Sequence, residues 1–278
     1  MIDPRESILF LDRWTASNPS LKHSIASVDP DAVAAEYRAL RENAPCRLIS
    51  YFAGRDGTTQ GRHPDTPRIQ WEPRYAVALW NLECRWPRVD GGWHRFLDYQ
   101  MPLKAIRANR GIGKIDLLGV TDRGRLIVVE LKCPRNGRGQ SPMHAFMEGL
   151  RYAAIVEANL GALMSEARNR FGCKVDAETP PIVQVLGPRS WWCDWLDSGL
   201  KRRAAGDWNL AFARLASAVE GRIGVAVECV ATGTNIGEVV DGLCKSRPSF
   251  DRPPTLYFVH LDRNPHAFEA LQPVSRLT

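Results

Sequence analysis

The sequence predicts an α/β fold, a central mixed β-sheet flanked by helices and preceded by an N-terminal extension. Two adjacent runs, Lys114–Val120 and Arg125–Lys132, are short and rich in β-branched residues, which is the mark of strands. Both faces of that pair read as apolar, as in central strands covered by helices on either side. The 278 residues, 44% of them hydrophobic, suit one elaborated α/β domain or two small ones.

Taken in order, Ser7–Trp14 reads as a short helix followed by a Ser/Asn/Pro break. Asp29-Pro30-Asp31 opens a helix through Ala32, Tyr37 and Leu40 that closes before Pro45. Cys46–Phe52 reads as a strand, and Gly54–Pro67, rich in Gly, Thr, Asp and Pro, as a loop or linker. This places a partly helical accessory region at 1–68 and the main domain at 69–278. Tyr75–Trp86 follows as a helix and Phe96–Ile106 as the strand entering the core. Ser141 is the expected N-cap of a helix with Pro142 in its first turn and Met143, Met147, Leu150 and Ala154 as its buried stripe. Pro181–Leu186 is the next strand, and Ser190–Leu196 a Trp-rich turn or short helix. Trp208–Glu220 is an amphipathic helix, and Ile223–Val230 and Thr255–Leu261 are strands that extend the sheet in a C-terminal elaboration.

The two central runs carry charge where a dry sheet should carry none. Between them Thr121-Asp122-Arg123-Gly124 reads as a hairpin turn, with Gly124 at the left-handed position of a three-residue loop. Thr121 then pairs with Arg125, and counting outward sets Asp116 opposite Glu130 and Lys114 opposite Lys132. Opposed side chains have Cβ atoms roughly 4.5–5.5 Å apart, and like charges so placed are destabilising. Alternation puts Leu118, Val120, Leu126 and Val128 on the charged face and Ile115, Leu117, Ile127, Val129 and Leu131 on the other. Two carboxylates converging beside a lysine call for a cation. The bland alternative is a structural quartet in which Lys114 and Lys132 neutralise the two acids.

A strand bearing Asp116, a tight turn, an apolar strand ending in Glu130-Leu131-Lys132, a Gly/Pro-rich loop and an amphipathic helix follow one another in an order that resembles the PD-(D/E)XK nuclease superfamily. The resemblance covers about residues 80 to 190. It implies a restriction-endonuclease-like αβββαβ core, with Asp116, Glu130 and Lys132 catalytic. Mg²⁺ or Mn²⁺ would be held by Asp116, Glu130 and the backbone carbonyl of Leu131. Members often carry Gln-x-x-x-Tyr on the helix after the motif, where this chain has Glu148-Gly-Leu-Arg-Tyr152, so Glu148 and Tyr152 are supporting candidates together with Lys114. An extra acid often precedes the first core strand. Glu83 is the candidate, against the plain reading of an exposed helical Glu.

Charge is concentrated near this motif. Residues 101–140 hold nine basic and three acidic residues, which equals the net +6 of the whole chain. Arg107, Arg110, Arg135 and Arg138 are the candidate nucleic-acid contacts, with DNA the expected partner, and the alternative is an Arg-rich solvated surface. A homodimer or larger complex is a further expectation. No apolar run approaches the roughly 18 residues that a membrane span requires, and the polar N-terminus does not read as a signal peptide. Seven cysteines without a C-x-x-C pair suit a reducing compartment, so a cytoplasmic location is expected.

Other signals are weaker. Gly111-Ile-Gly113-Lys114 resembles the end of a phosphate-binding loop, but Ile115 stands where Ser or Thr is needed and a strand follows. His144 lies one helical turn before Glu148, within reach of the site, though surface or second layer is the commoner fate of a lone helical His. Trp191, Trp192 and Trp195 are candidates for base stacking, though core or subunit interface is the commoner fate of such residues. The expectation is therefore a metal-dependent nuclease acting in restriction, defence or repair. Its rival is a nuclease-fold subunit that binds nucleic acid or assembles with a partner without turnover.

Overall fold

The computed structural model describes residues 25–47, 49–52, 54, 56–58, 71–104, 112–133, 140–196, 208–234, 239–241, 247–261 and 268–274. Its centre is an eight-stranded mixed sheet in the order β1-β2-β3-β4-β5-β6-β9-β10, formed by Trp86–Pro87, Trp93–Pro102, Lys114–Thr121, Leu126–Leu131, Ile182–Pro188, Val227–Thr232, Leu256–Val259 and Phe268–Ala270. Strands β7 (Val240–Asp241) and β8 (Pro248–Ser249) form a separate pair. The β4-β5-β6 centre is parallel and both flanks are antiparallel. Six helices are described: α1 (Pro30–Glu42), α2 (Trp71–Asn81), α3 (Pro142–Ala158), α4 (Leu160–Phe171), α5 (Arg189–Leu196) and α6 (Trp208–Ile223). None of the described helices is long and apolar enough to cross a membrane.

The turn chemistry read from the sequence positions the central hairpin. Thr121 N–H donates to Arg125 O at 2.9 Å, Gly124 N–H to Thr121 O at 3.0 Å, and Gly124 takes φ +86°. The ladder runs from Val120↔Leu126 to Leu117↔Val129, so its next pair in register is Asp116 with Glu130. β4 then leads into α3, whose N-cap Ser141 accepts from His144 N–H. α3 and α4 carry the chain back to β5 as a parallel crossover.

Each face of the sheet is covered. On one side α1, α3, α5 and α6 close a core containing Leu118, Val120, Leu126, Val128, Tyr37, Phe146, Leu150, Trp192 and Phe212. On the other, α2 covers Leu117, Ile127, Val129 and Leu131 with Tyr75, Ala78 and Leu79. The N-terminal α1 thus shares the first core, and its Tyr37 hydroxyl donates to Glu157 on α3 at 2.7 Å.

Several expectations are corrected. Ile115 joins the first core instead of sharing a face with Leu117, because the strands roll over between these positions. The roll coincides with Gln100 on β2, which has φ +47° and separates Tyr99 in the second core from Met101 in the first. Cys46–Phe52 contains no strand among its described residues; Tyr51 and Phe52 are core residues of a loop pinned by Glu166, which accepts from both their N–H groups. The second helix begins at Trp71 and ends at Asn81, earlier than expected at both ends, since Pro73 is tolerated in a first turn and Trp86 is already in β1. α4 was not foreseen, as only Leu163 and Ala167 form its buried stripe. Trp191, Trp192 and Trp195 are 2%, 0% and 3% exposed, so they are core and cannot stack on bases. The expected helix at Ser7–Trp14 and most of the linker lie outside the described residues.

Candidate active site

β3 and β4 stop pairing where their charges begin, and the freed groups turn to one another. Asp116 accepts from Leu131 N–H through Oδ2 at 3.0 Å and from Gln100 Nε2 through Oδ1 at 2.6 Å. Lys132 N–H donates onward to Leu186 O on β5. Since a strand residue points its N–H and C=O to the same side, the Leu131 carbonyl follows its amide towards Asp116. The Lys132 ammonium donates to Glu130 Oε1 at 2.6 Å and to Glu148 Oε2 at 3.0 Å, bridging β4 and α3. Tyr152, one turn on, donates to Glu148 Oε1 at 2.9 Å, and His144 Nε2 stands 3.6 Å from Glu148 Oε2. Gly113, at the entry to β3, is required by this packing because a Cβ there would collide with the Tyr152 hydroxyl. Asp116, Glu130, Lys132, Glu148 and Tyr152 are therefore brought together.

The electrostatics follow from burial. Glu130 and Lys132 are each 3% exposed. Burial pushes the Glu130 carboxyl well above the usual range, against Lys132 and with the charges of Asp116 and Glu148 adding to the rise. Burial likewise raises Asp116 to about 6, with Lys132 opposing and Glu72 adding to the rise. Glu148 goes the other way: burial works against its charge, but Lys132 and hydrogen bonds from Glu130, Lys132 and Tyr152 bring it down to about 2. For Lys132, burial disfavours the ammonium, yet Glu130 and Glu148 outweigh it and keep the group charged above the ordinary lysine range. Without a cation the cluster is thus a Lys132–Glu148 ion pair beside a proton-loving Glu130.

Two members were missed from sequence. Glu72, in the first turn of α2, accepts from Cys133 N–H through Oε1 at 3.2 Å, and its charge reaches Asp116 and Lys132. It takes the place expected for Glu83, which is exposed, lies beyond the other end of α2 and has φ +48°. From Glu72 to Asn81 the helix advances about 14 Å, so Glu83 is remote from the cluster. An acid beside Pro73 in a first turn was the available signal. The other missed residue is Gln100, for which the sequence carries no signal. Lys114 is exposed and does not serve as the partner of Asp116, whose polar contacts are Gln100 and Leu131. Arg107, Arg110, Arg135 and Arg138 lie outside the described residues. Arg125, from the same basic window, is committed to the carbonyls of Pro180 and Gly224 and is structural.

A proton on the Glu130 carboxyl lets it donate to Glu148, but once that proton is lost the buried Glu130 Oε2 has no donor to accept from. A divalent cation would satisfy it. The oxygen donors of Glu130, Asp116 and the Leu131 carbonyl are of the hard type that Mg²⁺ and Mn²⁺ prefer. Among the described residues no three His, Cys, Asp or Glu side chains converge on one metal position, so a cation here would depend on that carbonyl and on water as well as on the two acids. In comparison with known proteins, no family model, curated protein or solved structure matches this chain.

Proposed function

We propose that this protein is a metal-dependent nuclease that hydrolyses phosphodiester bonds, with DNA its first substrate class, on a restriction-endonuclease-like core. The succession α2-β1-β2-β3-β4-α3-α4-β5, in which the two-residue β1 and α4 are additions to an αβββαβ order, supports that part of this reading. The observation that carries it is the convergence of Asp116, buried Glu130 and Lys132, where one Glu130 oxygen has no donor once the carboxyl is ionised. A cation bound there would take the place of the proton that Glu130 otherwise shares with Glu148.

When bound, Mg²⁺ or Mn²⁺ supplies charge neutralisation at the phosphate and acidifies water. Asp116 and Glu130, with the Leu131 carbonyl, are the residues to hold it. Lys132, kept cationic by Glu148, is suited to orient the nucleophile and to stabilise developing negative charge, more than to remove a proton. Tyr152 fixes Glu148, and so fixes the lysine. Purified protein with Mg²⁺ or Mn²⁺, presented with linear, circular and single-stranded DNA and with RNA, should cleave at least one substrate, and Asp116→Ala should abolish the cleavage. Equal cleavage by Asp116→Ala, with contaminating nuclease excluded, overturns the assignment.

A second reading, a nucleic-acid-binding or assembly subunit without turnover, draws on the saturation of Lys132 by two carboxylates. It predicts salt-sensitive nucleic-acid binding without cleavage under any metal.

A further inference from the structure

Gln100 sits in β2, two residues before its end, with φ +47°, a left-handed conformation that L side chains other than Asn and Asp rarely adopt. The β2–β3 register, Tyr99↔Leu117 and Met101↔Ile115, makes it the ladder partner of Asp116. Its backbone turns the strand over, sending Tyr99 to one core and Met101 to the other, and its amide donates to Asp116 Oδ1 at 2.6 Å. A glycine would turn the strand with less strain, so what Gln adds is the amide.

We propose that Gln100 is a positioning residue, whose strained backbone aims its amide at Asp116 and fixes the orientation of that carboxylate for a divalent cation. The inference rests on the nuclease reading above. Asp116 is held from both sides, by Gln100 on β2 through Oδ1 and by Leu131 N–H on β4 through Oδ2. A carboxylate has about four acceptor sites, so these two bonds lock its rotation and still leave lone pairs for a metal. Without the amide, Asp116 keeps only the Leu131 contact of these two, and a cation must order the carboxylate as it binds. Strain at a site, retained where glycine would relieve it, is the expected sign of such pre-organisation.

The test uses the full chain, Mn²⁺ titrated against wild type, Gln100→Gly and Gln100→Met, with free Mn²⁺ followed by electron paramagnetic resonance and melting measured in chelator. Gln100→Gly removes strain and amide together; Gln100→Met keeps the length and the strain but not the donor. Both should bind Mn²⁺ about tenfold more weakly, equivalent to about 1.4 kcal/mol. Gln100→Gly should melt no lower than wild type in chelator, and saturating Mn²⁺ should restore cleavage in both. If both variants bind Mn²⁺ as wild type does, the positioning role is overturned and the nuclease reading stands. If wild type itself neither binds Mn²⁺ nor cleaves, both fall. Should the glycine variant fail to fold, Gln100→Met alone decides.

Discussion

Lys132 and Glu148 meet at 3.0 Å across the junction of β4 and α3, and this ion pair ties the motif strand to the helix that follows it. Both partners are mostly buried, with side chains 4% and 16% exposed. Replacing Lys132 by Ala leaves Glu148 charged without its cation, a change of the kind that costs about 3–5 kcal/mol. The expected outcome is loss of cleavage together with a melting point lower by roughly 10 °C in a domain of this size. A variant that melts with wild type would show that the pair contributes nothing to the fold.

Glu130 behaves differently, because burial already favours its protonated form. Glu130→Gln mimics that neutral state without the cost of taking up a proton on folding, so in chelator at neutral pH the variant should melt no lower than wild type. Added Mn²⁺ should stabilise wild type, by about 2.7 kcal/mol at a hundred times its dissociation constant, and leave the variant unmoved. Equal metal stabilisation of both proteins would remove Glu130 from the site.

The hairpin, its register and the meeting of Asp116, Glu130 and Lys132 were legible in the sequence because they follow from local rules, whereas Glu148 and Tyr152 were expected beside them only through the resemblance to a nuclease family. A glycine in a turn sets the register, and a four-residue spacing sets a helix face. Glu72 was not legible: it enters through the packing of α2 on the sheet, and the helix boundary that exposes it depends on tolerance of Pro73. Gln100 was hidden more deeply. Its role depends on a backbone dihedral for which Gln has no preference, and Ile115, on the neighbouring strand, changes face at the same level of the sheet. Buried tryptophans illustrate the converse, since composition cannot separate a stacking platform from a core, whereas burial does.

The raised Asp116 gives a pH signature. An acid that binds its proton more tightly when folded contributes stability in full below its ordinary value of 3.8 and loses it as pH rises through about 6. Chelated wild type should therefore lose stability between pH 4 and 7 at this position, and Asp116→Asn should flatten the decline. Metal requires the ionised form, so Mn²⁺ should raise the melting point more at pH 7.5 than at pH 5. Parallel melting curves for the two chelated proteins across that range would place Asp116 in an ordinary carboxylate environment.

Glu72 and Glu148 both face the cluster, yet their substitution should have opposite consequences for the fold. Glu148 is brought down to about 2 by Lys132 and its hydrogen bonds, so its charge stabilises the folded state throughout neutral pH and is lost only as pH falls towards that value. Glu148→Ala strips Lys132 and Tyr152 of a shared partner and should lower both melting point and cleavage. Glu148→Gln keeps one acceptor, for Lys132, and offers an NH2 to the Tyr152 hydroxyl, which can accept it, so it should retain most activity, losing mainly the charge. Glu72 instead adds negative charge to an acid-rich site, where it raises Asp116 and accepts one hydrogen bond from Cys133 N–H. Glu72→Gln preserves an acceptor for that bond and removes the repulsion, so in chelator it should be as stable as wild type or more so. With metal the order should invert, because the lost charge weakens attraction for the cation, and Mn²⁺ binding should fall several-fold. Melts and Mn²⁺ titrations of the three variants decide the point: unchanged Mn²⁺ affinity in Glu72→Gln would confine Glu72 to holding the backbone at Cys133.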